Sequence, residues 1–216
     1  GWPISDPLNF FGSGATVEAL LSCTTRSLGE ELLRIIGGSL RGRRLFSPKN
    51  RLVRPTADRL RETIFNILQA EVRSASVLDL FAGTGAMGIE ALSRGAATAW
   101  FVDHSAAALA LIKKNLKACG LEDQARTIRW DIRRNLSCLR GADPAFSVVF
   151  IDPPYGRGLA GRTLDHLHHS RSVAAGACIV VEHGAADALP ADTAAFIVED
   201  QRRQGNTLVS FVRYLL

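Results

Sequence analysis

An alternation of short apolar runs with amphipathic segments, from residue 77 to the C-terminus, constrains the fold more than any other feature. Apolar runs predict strands at 77–81, 99–103, 127–131, 148–152 and 178–182. Helices are predicted between them, over 88–94, over 106–118 and around 164–169. Strands separated by helices form right-handed βαβ units, so we expect a parallel sheet with helices on both faces.

The last two apolar runs break this rhythm. They cover 196–199 and 208–215, with Gly205-Asn206 between them. This spacing predicts an antiparallel hairpin that completes a seven-stranded, mostly parallel α/β sheet. The length of 216 residues suits one large domain with a small appendage. We expect a poorly defined N-terminal extension at 1–33, a basic hairpin and helix at 34–70, and the sheet domain at 71–216. The chain begins with Gly1 and its only Met is Met87, so residue 1 is not expected to be the translational start.

Positive charge is concentrated ahead of the sheet. Between Arg34 and Arg61 nine basic residues accompany one acid, a net charge of +8 in a chain whose total is +5. A basic segment on a slightly acidic body is typical of a protein with a polyanionic partner, and a solubilising basic loop is the alternative. The candidate contacts for the polyanion are Arg41, Arg43, Arg44, Arg54 and Arg59.

Within this segment a hairpin is predicted over 34–47, with a loop of no regular structure as the alternative. A helix is predicted from Pro55, with Thr56 as its cap. Arg59 and Arg61 are expected on faces that reach solvent or a ligand, although one of them could pair with a helix acid. The apolar face of the helix would hold Leu60, Ile64, Ile67 and Leu68.

Cysteine and histidine usage indicates neither disulfides nor a metal site. The four cysteines form no C-x-x-C pair, so we expect reduced thiols and a cytoplasmic protein. The group His166, His168 and His169 lacks an ordered acid or Cys partner and fits a solvated helix face. No apolar stretch reaches the ~18–20 residues of a membrane span.

A glycine-rich string follows the first strand. It runs from Asp79 through Gly83-Thr84-Gly85 to Gly88. Glycine lets a ligand approach the backbone, and ligands bind at the carboxyl ends of parallel strands. The G-x-G-x-x-G spacing is by itself a weak sign of a dinucleotide. A carboxylate just ahead of it would repel a pyrophosphate and attract a cation, so we expect S-adenosylmethionine rather than a nicotinamide nucleotide; a plain strand–helix turn is the alternative.

Two further carboxylates end the next two predicted strands. Asp103 lies 20 residues after Gly83, where an acid can accept hydrogen bonds from ribose hydroxyls. Asp131 could accept one from an adenine amino group. Either aspartate could instead cap a helix.

The most specific string is Asp152-Pro153-Pro154-Tyr155, directly after the fourth strand. Prolines fix φ and remove backbone donors, so a carboxylate and a fixed carbonyl can together accept both hydrogens of an exocyclic amino group. Tyr155 offers an aromatic face on which a base can stack. A rigid turn is the alternative.

Together these motifs resemble the class I S-adenosylmethionine-dependent methyltransferases, and in detail the RsmD family of bacterial 16S ribosomal RNA guanine-N2 methyltransferases. The resemblance covers roughly residues 34–215. It rests on Asp152 to Tyr155, on 79–88, and on the strings at 34–38, 42–45, 54–66, 90–96 and, more weakly, 205–207. The extension at 1–33 has no counterpart in that family.

The resemblance implies a Rossmann-like fold, a basic hairpin that contacts RNA, and S-adenosylhomocysteine as the product. It implies 16S rRNA as the partner, within the small subunit or an assembly intermediate. Nothing in the sequence requires more than a monomer, and we expect no membrane partner. The implied catalytic residues are Asp152, Pro153, Pro154 and Tyr155. The implied cofactor contacts are Asp79, Phe81, Gly83, Thr84, Gly85, Asp103, His104, Asp131 and Ile132.

Three other functions stay open. The Asp152 motif reads an amino group and no particular base, so a DNA adenine-N6 or other base N-methyltransferase is one alternative. A protein or small-molecule N-methyltransferase is the second, and the basic segment argues against small molecules. The third is a cofactor-binding RNA assembly protein without turnover, against which the intact Asp152 motif argues.

Overall fold

The computed structural model describes residues 33–48, 55–156, 158–187, 189 and 193–216. These residues belong to one compact unit, Glu31–Leu216. The candidate contact Arg54, and the predicted extension apart from Leu33, lie outside the described residues.

The described residues contain one seven-stranded sheet, in the order β3-β2-β1-β4-β5-β7-β6. The strands are β1 Ser76–Leu80, β2 Thr98–Asp103, β3 Ala125–Arg129, β4 Phe146–Ile151, β5 Val173–Gly184, β6 Phe196–Gln204 and β7 Thr207–Tyr214. Strands β1 to β5 pair in parallel, whereas β7 is antiparallel to β5 and β6. The predicted parallel sheet with a closing antiparallel hairpin is confirmed.

Five α-helices accompany the sheet in the described part of the chain. They are α1 Pro55–Ile67, α2 Gln69–Val72, α3 Ala86–Ser93, α4 Ala106–Cys119 and α5 Leu159–Ser170. The best-defined ends are those of α4. Ser105 accepts a hydrogen bond from the Ala108 N–H at its N-terminus, and Gly120 closes its C-terminus at φ +67°.

Alternate side chains of each central strand enter two different apolar cores, because a strand points successive residues to opposite faces. Val77 and Phe101 lie in the core that also contains Phe65 of α1 and Ile112 of α4. The second core contains Leu78, Val102, and Leu164 and Leu167 of α5. Helices therefore cover both faces of the sheet, as the alternation predicts.

The basic hairpin (residues 34–47) reverses the chain with one antiparallel bridge, between Arg34 and Arg44, rather than with two full strands. Backbone bonds from Ile35 N–H to the Arg43 carbonyl and from Leu45 N–H to the Leu33 carbonyl extend the pairing. Leu33, Ile35 and Leu45 are buried in the same core as the sheet residues. The predicted reversal is confirmed, but its strands are too short to form regular structure.

Three details predicted for α1 are wrong. The helix begins at Pro55, as predicted, so Thr56 lies inside it and is not the cap; proline suits the first helical position. Ile67 is 42% exposed, while Phe65 is fully buried. The buried face is rotated toward Arg61, which is itself only 6% exposed and therefore does not reach solvent.

Candidate active site at the carboxyl edge of the sheet

The residues predicted for the site follow four neighbouring strands. In the order β3-β2-β1-β4, Asp131 lies beyond β3, Asp103 ends β2, the glycine loop (residues 81–85) follows β1, and Asp152 follows β4. Parallel strands bring their carboxyl ends to one edge, so the fold gathers these positions along a single line.

The glycine loop takes left-handed backbone angles, with φ of +58° at Phe81, +54° at Gly83 and +76° at Gly85. A Cβ at Gly83 would have one neighbour within 4 Å, the Phe81 carbonyl oxygen at 3.8 Å. The backbone at Gly83 is therefore open to a ligand. A Cβ at Gly88 would lie 2.3 Å from Cε1 of Phe101, so this glycine is required for α3 to pack on β2.

Asp79 is a buried carboxylate at the base of the glycine loop. Its side chain is 4% exposed, and Oδ2 accepts a hydrogen bond of 3.0 Å from the Gly88 N–H. Burial raises the pKa of Asp79 to about 8, with smaller contributions from the negative charges of Asp152 and Asp103; the Gly88 bond acts in the opposite direction. A cation placed here would favour the ionised form, so the electrostatics suit a positively charged ligand.

Asp103 holds the glycine loop against β2. Its Oδ2 accepts from the Gly83 N–H at 3.0 Å, and its Oδ1 accepts from the Ser105 N–H at 2.8 Å. The N-cap of α4 is Ser105, so Asp103 does not have the capping role that was its alternative. His104 is exposed, with Nδ1 3.4 Å from the Asp103 Oδ1.

Asp131 lines a cavity of about 430 Å³. Arg133 bonds both of its carboxylate oxygens, at 2.8 and 2.9 Å, and lowers the pKa of Asp131 to about 2. The residues after Asp131 form a turn and not a helix, so Asp131 does not cap a helix, which was the alternative role. Ile132 is buried in the second core, at 2% exposure. The cavity is lined by His104, Arg129, Trp130, Asp131, Arg133 and Arg134.

The Asp152-Pro153-Pro154-Tyr155 turn projects from β4, with Asp152 exposed and Tyr155 48% exposed. The Tyr155 hydroxyl donates to Glu182 Oε1 at 2.6 Å and lies 3.3 Å from Thr207 Oγ1. Burial and the Glu182 carboxylate raise the pKa of Tyr155, so the hydroxyl stays protonated and donates. Just beyond the turn, the Gly156 N–H donates to Asp187 Oδ2 at 2.8 Å.

The three side chains that bond Tyr155 and Gly156 were not predicted from the sequence. Glu182 and Thr207 fix the direction of the Tyr155 ring, and Asp187, three residues beyond the end of β5, anchors the turn. They lie 27, 52 and 31 residues from their partners, so no local pattern marks them. The only signal is that Thr207 belongs to the weakest string of the family resemblance.

A buried acid of α3 anchors the basic hairpin. Glu90 is fully buried and accepts from the N–H groups of Ile36 and Gly37, both at 2.7 Å. The Ser93 hydroxyl donates to the Gly37 carbonyl at 2.6 Å. A Cβ at Gly38 would lie 1.9 Å from the Ser93 carbonyl oxygen, so the Gly-Gly pair permits this close docking.

Four of the five candidate arginines lie in the described residues, and all four are exposed: Arg41, Arg43, Arg44 and Arg59. The Arg43 guanidinium also donates to the Ala118 carbonyl near the end of α4, at 2.7 Å. Arg61 pairs with Asp58 at 2.9 Å, as considered from the sequence, and donates to the Arg34 carbonyl. Its predicted reach to solvent or a ligand is wrong, because these bonds hold the guanidinium against the basic hairpin.

The histidines on α5 have separate partners. Nδ1 of His166 lies 3.1 Å from the Ile132 carbonyl, and Nδ1 of His168 lies 3.1 Å from the Tyr214 hydroxyl. Within the described ranges, no three His, Cys, Asp or Glu side chains converge as metal ligands would. In the same part of the chain, no helix has the length and apolar character needed to span a membrane.

Comparison with known proteins gives consistent matches. The family model described as "conserved hypothetical protein 95" matches residues 33–213. The chain is 40% identical over 162 residues to the Ribosomal RNA small subunit methyltransferase D of Escherichia coli K12, covering 75% of this chain and 80% of that protein. It is 37% identical over 163 residues to the protein of the same name from Haemophilus influenzae, covering 74% and 81%. The solved structure of Escherichia coli yhhF superposes with a TM-score of 0.75 at 35% identity, covering 85% of this chain and 98% of that one.

Proposed function

The chain belongs to the RsmD family and has the fold of the class I methyltransferases, and on that premise we propose that it methylates ribosomal RNA. Its substrate is the exocyclic N2 amino group of a guanine in 16S rRNA, and its methyl donor is S-adenosylmethionine. The observation that carries this proposal is the Asp152–Tyr155 turn, which follows β4 directly beside β1 and its glycine loop. An acceptor for an amino group thus lies next to a site suited to a cation.

The residues along the edge fit the cofactor. The buried Asp79 carboxyl favours a positive charge, and the open backbone at Gly83 admits a ligand. Asp103 has its carboxylate at the next strand end, where a ribose would lie, and Asp131 borders the cavity suited to an adenine. The bound cofactor supplies a methyl group that is already activated on a positively charged sulfur. The protein therefore has mainly to orient the reacting groups.

Asp152 and the Pro-Pro turn supply that orientation at the guanine. The Asp152 carboxylate accepts hydrogen bonds from the amino group and fixes the direction of the nitrogen lone pair. Orientation of this kind contributes up to about 7–11 kcal/mol in ideal cases. Asp152 acts as an acceptor rather than a strong base, because the amino proton becomes acidic only as the nitrogen is methylated.

The guanine base stacks on the ring of Tyr155. The ring is 48% exposed, and its hydroxyl is held by Glu182 of β5 and Thr207 of β7. A guanine within paired or stacked RNA must be extruded at a cost of a few kcal/mol. Stacking on an aromatic ring returns about 1–3 kcal/mol per base, which offsets part of that cost.

The exposed arginines of the basic hairpin bind phosphates and so position the RNA without reading its sequence. Glu90 and Ser93 clamp the hairpin to α3, whose first turn follows the glycine loop. The RNA-binding surface and the cofactor site are therefore attached to the same helix. We propose that the enzyme is a cytoplasmic monomer acting on the small ribosomal subunit or an assembly intermediate.

To test this proposal, the protein is incubated with methyl-labelled S-adenosylmethionine and one of four acceptors: unmethylated small subunits, naked 16S rRNA, DNA or bulk protein. We expect label in the RNA of the subunits with wild-type protein and none with Asp152→Ala. Label confined to DNA would favour the adenine-N6 alternative, and label confined to protein would refute RNA as the substrate.

A further inference from the structure

The basic hairpin ends in an exposed aromatic side chain. Phe46 is 44% exposed, although Ile35 and Leu45 of the same hairpin are buried. The ammonium group of Lys114 lies over the Phe46 ring, 3.6 Å from its centroid. A large apolar ring left in solvent beside a lysine is a feature that the packing of the hairpin does not require.

A fully buried amide holds the backbone of Phe46 in place. Asn115 Oδ1 accepts from the Phe46 N–H at 2.7 Å, and Asn115 Nδ2 donates to the Phe46 carbonyl at 3.1 Å. The same Nδ2 donates to the carbonyl of Thr84 in the glycine loop at 3.0 Å. The amide thus uses both donors and its acceptor on two segments. Phe46 therefore lies at a fixed position beside the glycine loop.

The two segments that meet at the ring both carry exposed basic side chains. Helix α4 carries three lysines and no acid, and the lysines Lys113, Lys114 and Lys117 are all exposed. In the hairpin, Arg43 and Arg44, which come shortly before Phe46 in the chain, are exposed as well. An aromatic face among basic side chains is the combination with which proteins bind single-stranded nucleic acid: the ring stacks with a base, and the cations bind phosphates.

We propose that Phe46 and Lys114 form an RNA contact site, where an unpaired nucleobase stacks on the Phe46 ring and Lys114 binds an adjoining phosphate. Lys114 has a flexible stem and can leave the ring as the base arrives. Asn115 ties the contact to the glycine loop, so the nucleotide would bind at a fixed place relative to the proposed cofactor site. This inference rests on the proposed action on RNA and adds a binding site to the basic arginines.

The test measures the affinity of the full chain for a 16S rRNA fragment over a range of salt concentrations. Removing the ring with Phe46→Ala should weaken binding about 5- to 150-fold at every salt concentration, since one stacked base is worth about 1–3 kcal/mol. The slope of log affinity against log salt should stay unchanged, because no phosphate contact is lost. Phe46→Tyr keeps the aromatic face and should bind within about twofold of wild type.

Two further variants separate stacking from charge and from general loss of apolar surface. Lys114→Gln should reduce the salt slope by about one phosphate contact. Ile197→Ala removes a side chain of similar exposure, 42%, from β6 at the opposite edge of the sheet from β3, and should bind RNA as wild type does. Thermal unfolding of each variant checks that the proteins are folded.

Unchanged affinity in Phe46→Ala would overturn the inference, and so would an equal loss in Phe46→Tyr. If wild type methylates rRNA while Phe46→Ala binds normally, the inference fails and the proposed function stands. If binding depends on Phe46 while wild type transfers no methyl group to rRNA, the proposed function fails and the contact site stands. Wild-type protein that binds no RNA would overturn both.

Discussion

Replacing Asp79 with asparagine should stabilise the cofactor-free protein while weakening its cofactor binding. The pKa of the buried Asp79 carboxyl is raised from 3.8 to about 8, chiefly by burial. The folded protein therefore holds a proton that the unfolded chain releases above pH 4. A group of this kind contributes stability that is fully present below pH 4 and is lost as the pH rises toward 8.

The size of this loss follows from the linkage between proton binding and folding. Each pH unit between the two pKa values corresponds to about 1.4 kcal/mol, so the loss reaches about 4 kcal/mol at pH 7. An asparagine side chain would keep an acceptor for the Gly88 N–H and would carry no charge. We therefore expect Asp79→Asn to exceed wild type in unfolding free energy by up to about 4 kcal/mol at pH 7, and by little at pH 4.

Cofactor affinity should change in the opposite sense. A cationic ligand binds the ionised carboxylate, so wild-type affinity for S-adenosylmethionine should rise up to tenfold per pH unit until about pH 8. The Asp79→Asn protein should bind weakly at every pH. Urea unfolding measures the stability, and calorimetric titration measures the affinity.

Asp131→Asn provides a matched control, because its effect on stability at pH 7 should have the opposite sign to that of Asp79→Asn. Arg133 lowers the pKa of Asp131 to about 2, so this carboxylate contributes stability above pH 4 that is lost as the pH falls through about 2. Its replacement should lower stability at pH 7. A stability difference between Asp79→Asn and wild type that stayed constant from pH 4 to pH 8 would refute the reasoning about burial, as would a wild-type cofactor affinity independent of pH.

Three other substitutions test separate parts of the site. Asp152→Ala should abolish methyl transfer while cofactor affinity stays within about twofold, and turnover near the wild-type rate would contradict the role given to Asp152. Gly88→Ala would place a Cβ 2.3 Å from Phe101 Cε1 and should cost about 1–3 kcal/mol in urea unfolding, whereas unchanged stability would mean that α3 shifts freely. A triple glutamine replacement should weaken RNA binding and flatten its salt dependence, and an unchanged salt slope would reduce the hairpin to a solubilising loop; the positions are Arg41, Arg43 and Arg44.

The sheet could be predicted from the sequence because each strand carries its own local signal. Apolar runs bounded by turn residues predicted seven strands, five of them within two residues of their ends, whereas β5 begins five residues earlier and β6 ends five residues later than predicted. The strand–helix alternation predicted the parallel pairing of β1 to β5. Because parallel strands run in the same direction, their carboxyl ends lie at the same edge of the sheet. Asp79, Asp103, Asp131 and Asp152 could therefore be assigned to one edge from the sequence alone.

What the sequence did not reveal depends on contacts between distant residues. Glu90, Asn115 and Glu182 are acid or amide side chains whose partners lie 54, 69 and 27 residues away, and no periodicity marks such pairs. The burial of Arg61 has the same origin, since it bonds the Arg34 carbonyl 27 residues earlier. Arg61 thus lies on the buried side of α1, whereas Ile67 is 42% exposed.

The most direct measurement identifies the nucleoside that the protein produces. Unmethylated small subunits are incubated with wild-type protein and S-adenosylmethionine, and the 16S rRNA is digested to nucleosides for mass spectrometry. The proposed function predicts one N2-methylguanosine per subunit, absent with Asp152→Ala. A methyl group on adenine, on a guanine ring nitrogen or on the ribose, or no methylated nucleoside at all, would contradict it.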